Sequence, residues 1–328
     1  MSAARTETFY SQISHNRRMS LLLVLIISAI LAALGLSIGY GLSGSVAVGV
    51  AAMVGAILLA GVLSGASYFN GDSLVLAASQ AREVNETNAP QLMNVVRELS
   101  IAADVPMPRV YIIDDTAPNA FATGRDPQHA SLAITTGLLQ KLDREELQGV
   151  IGHEMSHVRN YDIRFTLLVG VLVGSIALLA DFFLRFTFWG GVSGRRGGSR
   201  EGGGGAQAIV LAIAFALAIL APIFAGLVQL AVSRQREYLA DASSVDLTRN
   251  PVGLEGALAK IAADTEPLEV ANRATQHLYI VNPIKKLSGS QNLFSTHPPI
   301  LDRINRLRAL SGQPPLDSLE ARSLAGLE

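Results

Sequence analysis

Between Met19 and Gly71 the chain carries no charged residue. A run of that length holds two membrane spans of roughly 20 residues each, with a turn between them. Gly41-Leu42-Ser43-Gly44-Ser45 breaks the run, so the pattern predicts one span over about Met19–Tyr40 and a second over about Val46–Tyr68. The first apolar run exceeds the roughly 7–15 residues of a secretory signal and no small-residue cleavage site follows it, so it reads as a retained anchor. Two further apolar runs, about Phe165–Trp189 and Ala206–Val232, bring the expected total to about four transmembrane helices. Between them, Gly190–Gly205 is dominated by glycine with Arg195, Arg196, Arg200 and Glu201, the composition of a flexible linker. Asp181 and Arg185 sit four apart inside the third run, in register for a helical ion pair.

The remaining segments alternate at the periods of helices and strands. Ala89-Pro90 opens a helix through Ala103, with Leu92, Val95, Val96 and Leu99 three or four positions apart. Val110–Ile113, Asn119–Thr123 and Ser131–Thr135 predict short strands. Asp143 and Glu146 have the spacing of a capping box and start a helix that runs to about Asn160. Beyond Ser233 the chain is polar again, with helices expected around Val252–Ala263 and Ile300–Leu310. The organisation is therefore an N-terminal segment and hairpin over 1–71, a soluble part over 72–164, a second hydrophobic hairpin over 165–232 and a second soluble part over 233–328.

Composition narrows the possibilities. Charged residues are 16% of the 328, against about 25% in an ordinary soluble domain. With 26 basic and 27 acidic side chains, disorder and charge-driven nucleic-acid binding are both excluded. There is no cysteine, so disulfides, thiol catalysis, cysteine-bound zinc and iron–sulfur clusters are excluded as well. Any metal must be held by His, Asp or Glu. Arg5, Arg17 and Arg18 precede the first span and the short turn has no basic residue, which places the N-terminus and the chain after Phe69 in the cytoplasm. The basic linker at 190–205 conflicts with that rule and leaves the second hairpin either spanning or shallow.

The chemistry concentrates in His153-Glu154-Met155-Ser156-His157. Residues four apart share a helix face, so two imidazoles can grip one Zn²⁺ while Glu154 reaches a water on that metal. Gly149 and Gly152 in the same helix cost helix propensity and predict close packing against another element. Catalytic zinc takes three protein ligands and keeps one position for water. The best remote candidate for the third is Glu237, just beyond the last apolar run; Asp241, one turn on, is placed to accept a hydrogen bond from a ligand imidazole. A helical hairpin between His157 and Glu237 returns the chain to one side, where both can share a metal.

Taken together, His153-Glu154-x-x-His157, Glu237-x-x-x-Asp241, spans before and after the motif, Asn119-Ala120-Phe121-Ala122-x-Gly124, and Ser295-Thr296-His297-Pro298-Pro299 followed by Arg303 resemble the HtpX-type membrane zinc metallopeptidases. These are relatives of the CAAX prenyl proteases within the gluzincins. The resemblance implies an α-helical membrane protein with a mostly α, α+β gluzincin-like protease domain. It implies one Zn²⁺ per chain on His153, His157 and Glu237, with Glu154 as general base. His297, in a His-Pro beside the cleft, becomes the candidate donor to the oxyanion, with Arg303 nearby as support. Asn119, Ala120 and Phe121 read as an edge strand to which an extended substrate adds. The implied partners are unfolded or misassembled membrane proteins and the lipid bilayer, at the cell (inner) membrane with the active site facing the cytoplasm. Two other readings stay open: a CAAX-type processing protease, which expects a larger set of spans, and a membrane adaptor with structural zinc, against which the retention of Glu154 counts.

Overall fold

The computed structural model describes residues 9–186, 204–264, 266, 268, 279–280 and 298–316. In chain order the described elements are α1 (Phe9–Ser43), α2 (Val46–Ala78), β1 (Arg82–Glu83), α3 (Pro90–Ala103), β2 (Arg109–Ile113), β3 (Ala120–Gly124), β4 (Ala130–Thr135), α4 (Thr136–Lys141), α5 (Arg144–Arg159), α6 (Asp162–Phe186), α7 (Gly204–Thr248), α8 (Pro251–Ala263) and α9 (Ile300–Leu310). They form two compact units. One takes Arg17–Phe69 and Leu168–Gln229; most of the other lies in Asn70–Leu167 and from Leu230 onward.

The first unit is built for an apolar solvent. Leu25–Ser43, Val46–Ala66 and Asp162–Arg185 are long and apolar enough to cross a membrane, with mean hydropathies of 2.1, 2.6 and 2.4. The fourth expected span is met by a shorter apolar window, Ile209–Phe224, and the rest of that run includes side chains outside the described residues. Nearly all of the linker at 190–205 also lies outside them. Small residues let α1 and α2 approach: a Cβ on Gly39 would sit 2.7 Å from the Ala52 methyl and 2.8 Å from the Val48 carbonyl. Leu34 and Ile38 of α1 pack with Ala180 and Phe183 of α6 and Ala214 and Ala218 of α7. The opposite faces show large apolar side chains, Leu58 at 63% exposure and Phe182 at 64% among them, which lipid accommodates and water does not. The expected Asp181–Arg185 pair forms, with Arg185 Nε 2.7 Å from an Asp181 oxygen and both side chains exposed.

The second unit surrounds a four-stranded sheet of order β1-β2-β4-β3. β2 and β4 are parallel, and β3 is antiparallel to β4 with Phe121 opposite Ala133. Alternation sorts the strands into two cores. Val110, Ala120, Ala122, Leu132 and Ile134 join α3, α5, α8 and α9 on one face; Tyr111, Ile113, Phe121 and Ala133 join Leu76, Leu268 and Tyr279 on the other. With both faces covered, β3 and β4 are buried at every position. α5 begins at a complete capping box: the Asp143 carboxylate accepts the Glu146 N–H and the Glu146 carboxylate accepts the Asp143 N–H, each at 2.9 Å. The close packing expected at its glycines is present. A Cβ on Gly149 would lie 2.5 Å from the Leu254 nitrogen of α8, and one on Gly152 2.8 Å from the Ser244 hydroxyl of α7. Ser244 also donates to the Gly149 carbonyl at 2.7 Å.

α7 continues through position 233, where the sequence turns from apolar to polar, as one helix of 45 residues. Between Gly226 and Pro251 the chain has no glycine or proline, and strong helix formers dominate the crossover from apolar to polar sequence.

Candidate metal centre

Glu237, Asp241, Ser244 and Thr248 recur along one face of α7, and Ser244 fastens that face to α5. This contact brings Glu237 to the His153–His157 face. His153 Nε2 and His157 Nε2 lie 3.2 Å apart, and the Glu237 carboxylate oxygens are 3.6 Å from the first and 3.5 Å from the second. Ligand atoms about 2.0–2.1 Å from a tetrahedral zinc are separated by about 3.3 Å; the two Nε2 atoms have that spacing, and with one Glu237 oxygen the three ligand atoms all lie within 4.8 Å of one another. Together they form a group able to hold a metal ion.

Protonation explains why that point suits a cation. Each imidazole turns its Nδ1 to a buried carboxylate: His153 to Asp241 at 2.9 Å and His157 to Asp162 at 3.1 Å. A neutral ring that donates through Nδ1 presents a lone pair at Nε2. Two such lone pairs and a carboxylate then converge, an arrangement that requires either protons or a metal. Without a metal the rings take up protons. Burial opposes the charge of His157, but Asp162 and Glu237 outweigh it and raise its pKa well above the ordinary value; at His153 burial is likewise outweighed by Asp241 and Glu237, and the pKa is raised.

Arg303 of α9 is fully buried behind this group. Its Nε and Nη2 donate to the two Asp241 oxygens at 2.9 and 2.7 Å, and its Nη1 donates to the Ile280 carbonyl at 3.0 Å. Burial works against its charge, but Asp241 prevails and holds the guanidinium ionised. The same pairing keeps Asp241 below the usual carboxylate range despite its burial. Arg303 thus braces Asp241, which orients His153, and its Nη1 also lies 3.4 Å from a Glu237 oxygen.

Glu154 is buried at 2% exposure. Desolvation raises its pKa above the ordinary carboxylate value, against the pull of the two histidines and a hydrogen bond from the backbone of Ala122. That bond places β3 beside the motif. Thr135 N–H donates to the Asn119 carbonyl, so positions 119, 121 and 123 bond to β4 and the backbone groups of Ala120, Ala122 and Gly124 face the other way. At Ala120 those groups are engaged: its N–H donates to Asn119 Oδ1 at 3.1 Å, and its carbonyl accepts the Ile280 N–H at 2.9 Å. The Phe121 ring is fully buried and packs edge-on against Tyr279, so what this strand can offer an extended chain is backbone rather than that side chain. His297 lies outside the described residues.

Two residues of the site went unread in the sequence. Asp162, which holds His157, and Arg236, whose Nη1 is 3.0 Å from Asp162, both sit at the ends of apolar runs, where a charge has the ordinary explanation of marking a membrane boundary. The signal available was a carboxylate five residues after the second motif histidine.

A His-x-x-x-His pair with a remote carboxylate, and a buried glutamate adjoining the first histidine, is the constellation of an HExxH metalloprotease. Residues 86–311 match the family described as Peptidase family M48, well over half of the chain, and the chain belongs to that family. It is 49% identical over 239 residues to a protease HtpX homolog of Levilactobacillus brevis, covering 73% of this chain and 79% of that protein. Similar proteins of the same description from Streptococcus thermophilus and Dictyoglomus thermophilum are each 43% identical, covering 92% of this chain and 99% and 95% of theirs. The protein is a metal-dependent membrane protease of this family.

Proposed function

We propose that this chain is a zinc-dependent endopeptidase that hydrolyses misfolded or damaged membrane proteins at the cytoplasmic face of the cell (inner) membrane, as part of protein quality control under stress. The observation that carries the reading is the convergence of His153 Nε2, His157 Nε2 and Glu237 on one point beside the buried Glu154. The name printed for the relatives, protease HtpX homolog, agrees with it.

His153, His157 and Glu237 hold the metal, with His153 oriented by Asp241 and Arg303. Zinc, when bound, supplies Lewis acidity to the scissile carbonyl and acidity to a water nucleophile. Glu154 accepts the water proton and delivers it to the leaving amine; its raised pKa suits a group that must both take and return a proton near neutrality. An extended substrate pairs with the outward backbone of β3 at the Ala122 carbonyl and Gly124, the Ala122 N–H being engaged by Glu154, in continuation of the predicted Asn119-Ala120-Phe121 edge. Main-chain pairing reads no side chain, which suits a protease that accepts many unfolded segments. His297 is retained as the proposed donor to the oxyanion.

The test is cleavage of casein and of an unfolded membrane protein by the detergent-purified full chain, beside Glu154→Gln. Hydrolysis by the wild type alone supports the reading. Full zinc in both with cleavage in neither points to a structural site. Orientation is checked separately by maleimide labelling, made simple by a chain without cysteine. Ile101→Cys, at an exposed position of α3, becomes labelled only when the reagent reaches the cytoplasmic side.

A further inference from the structure

We infer that Arg236 is a positioning residue for the metal centre, acting through Asp162 to hold the His157 imidazole. The inference rests on the reading of His153, His157 and Glu237 as ligands. The two histidines are supported by the same sequence of contacts. On one side the His153 Nδ1 meets Asp241 and Asp241 meets the buried Arg303; on the other the His157 Nδ1 meets one Asp162 oxygen and Arg236 Nη1 lies 3.0 Å from the other. Asp162 and Arg236 are both buried, at 3% and 6% exposure.

The two supports differ in a way that identifies what Arg236 is for. Arg303 engages all three of its nitrogens in hydrogen bonds. None of the three Arg236 nitrogens makes a hydrogen bond among the described residues, the Asp162 contact being an ion pair alone, and its guanidinium carbon sits 3.5 Å from the Phe165 ring centroid. A buried guanidinium met by one carboxylate and one ring is poorly compensated for leaving water, and its desolvation pulls its pKa down. Such an arrangement adds little to folding by itself. Its effect falls on Asp162: with Arg236 Nη1 against one oxygen the carboxylate is held in place, so the other oxygen accepts from Nδ1 and the Nε2 lone pair stays turned to the metal. Arg236 also directly precedes Glu237, while Asp162 follows His157 by five residues. One ion pair therefore ties the helix carrying the third ligand to the start of the helix after the motif.

The experiment is a double-mutant cycle on the full chain in detergent, with Arg236→Met, Asp162→Asn and both together, and Arg236→Lys as the charge-conserving control. The readouts are Co²⁺ affinity by chelator competition and the visible d–d spectrum of the Co²⁺ form, neither of which depends on hydrolysis. Arg236→Met and Asp162→Asn should each weaken Co²⁺ about 10–100-fold, the scale for groups that orient a metal ligand. The double variant should lose no more than about threefold beyond Asp162→Asn alone, and Arg236→Lys should recover most of the affinity and the wild-type spectrum. If Arg236→Met does not fold, the Arg236→Lys and Asp162→Asn proteins carry the comparison: a wild-type spectrum in the first and a shifted one in the second is the expected pair. Wild-type affinity and spectrum in Asp162→Asn or Arg236→Met, or equal losses from Arg236→Met in both backgrounds, overturns the inference. A wild type that binds no stoichiometric Co²⁺, or a Glu237→Ala protein that binds it normally, overturns the ligand assignment itself and is distinguished by that control.

Discussion

The two units bury opposite things. In the membrane unit the interior is apolar throughout, small residues such as Gly39 and Ala52 allowing close approach and Leu34, Ile38 and Phe183 packing with Ala214 and Ala218, while further large apolar side chains such as Leu58 and Phe182 cover the outside. In the protease unit the interior holds His153, Glu154, Asp162, Arg236, Glu237, Asp241 and Arg303, every one of them buried. Lipid removes the incentive to hide large apolar groups, so close packing of small ones holds the helices together. In the protease unit the cost of burying charge is largely met by setting charges of opposite sign against one another, and the by-product of that arrangement is three ligand atoms gathered within 4.8 Å. One unit specifies contact by shape; the other does so by charge.

That contrast can be broken from either side. The largest effect should come from Glu237→Ala, which removes one of three ligands: elemental analysis should find the metal lost, and peptide hydrolysis should vanish with it. Next comes Arg303→Met, which leaves Asp241 buried without its cation. Breaking such a pair costs about 3–5 kcal/mol, and thermal unfolding of the metal-free protein should show it. An unfolding temperature equal to wild type would mean the charges are not holding this core.

The shape side is tested by glycines. Gly39→Ala forces a methyl onto the Val48 carbonyl and is expected to cost about 1–3 kcal/mol of stability. Gly61→Ala meets nothing within 4 Å and should leave stability unchanged or raise it by a few tenths of a kcal/mol. Equal effects at Gly39 and Gly61 would remove the packing argument for the membrane unit.

The smallest effect is in pH. The metal-free histidines have raised pKa values, so their contribution to apo stability is full below the unfolded value of about 6.5 and is lost as pH rises through the higher folded value. Metal competes for the same Nε2 lone pairs, so its affinity runs the other way and increases with pH across that window. Calorimetry in buffers of different ionisation enthalpy should find more protons released on zinc binding at pH 7 than at pH 9. Release independent of pH would show that the rings are already neutral without metal.

Much of this was readable beforehand. The motif helix, its capping box and the α3 helix follow from local spacing, because each involves residues within a few positions of one another, and the crowding at Gly149 and Gly152 was legible as a cost in helix propensity although the partners, Leu254 and Ser244, are remote. Glu237 and Asp241 were found across about 80 residues because a metal site with two ligands demands a third. Asp162 and Arg236 escaped because a charge at the end of an apolar run already has a generic reason to be there. The two-residue strand β1 and the short helix α4 escaped for a different reason: neither has the length for a period to show. The continuation of α7 past position 233 was implied only by the helical spacing of Glu237 and Asp241, and no glycine or proline interrupts it between Gly226 and Pro251.

The most direct test of the metal centre is zinc K-edge X-ray absorption on the purified full chain, wild type beside Glu154→Gln. Two imidazoles at about 2.0–2.1 Å with oxygen completing the shell, identical in both proteins, is the predicted result. A shell with one or three imidazoles, or zinc lost from Glu154→Gln, would contradict the assignment of His153, His157 and Glu237 as ligands and Glu154 as the base beside them.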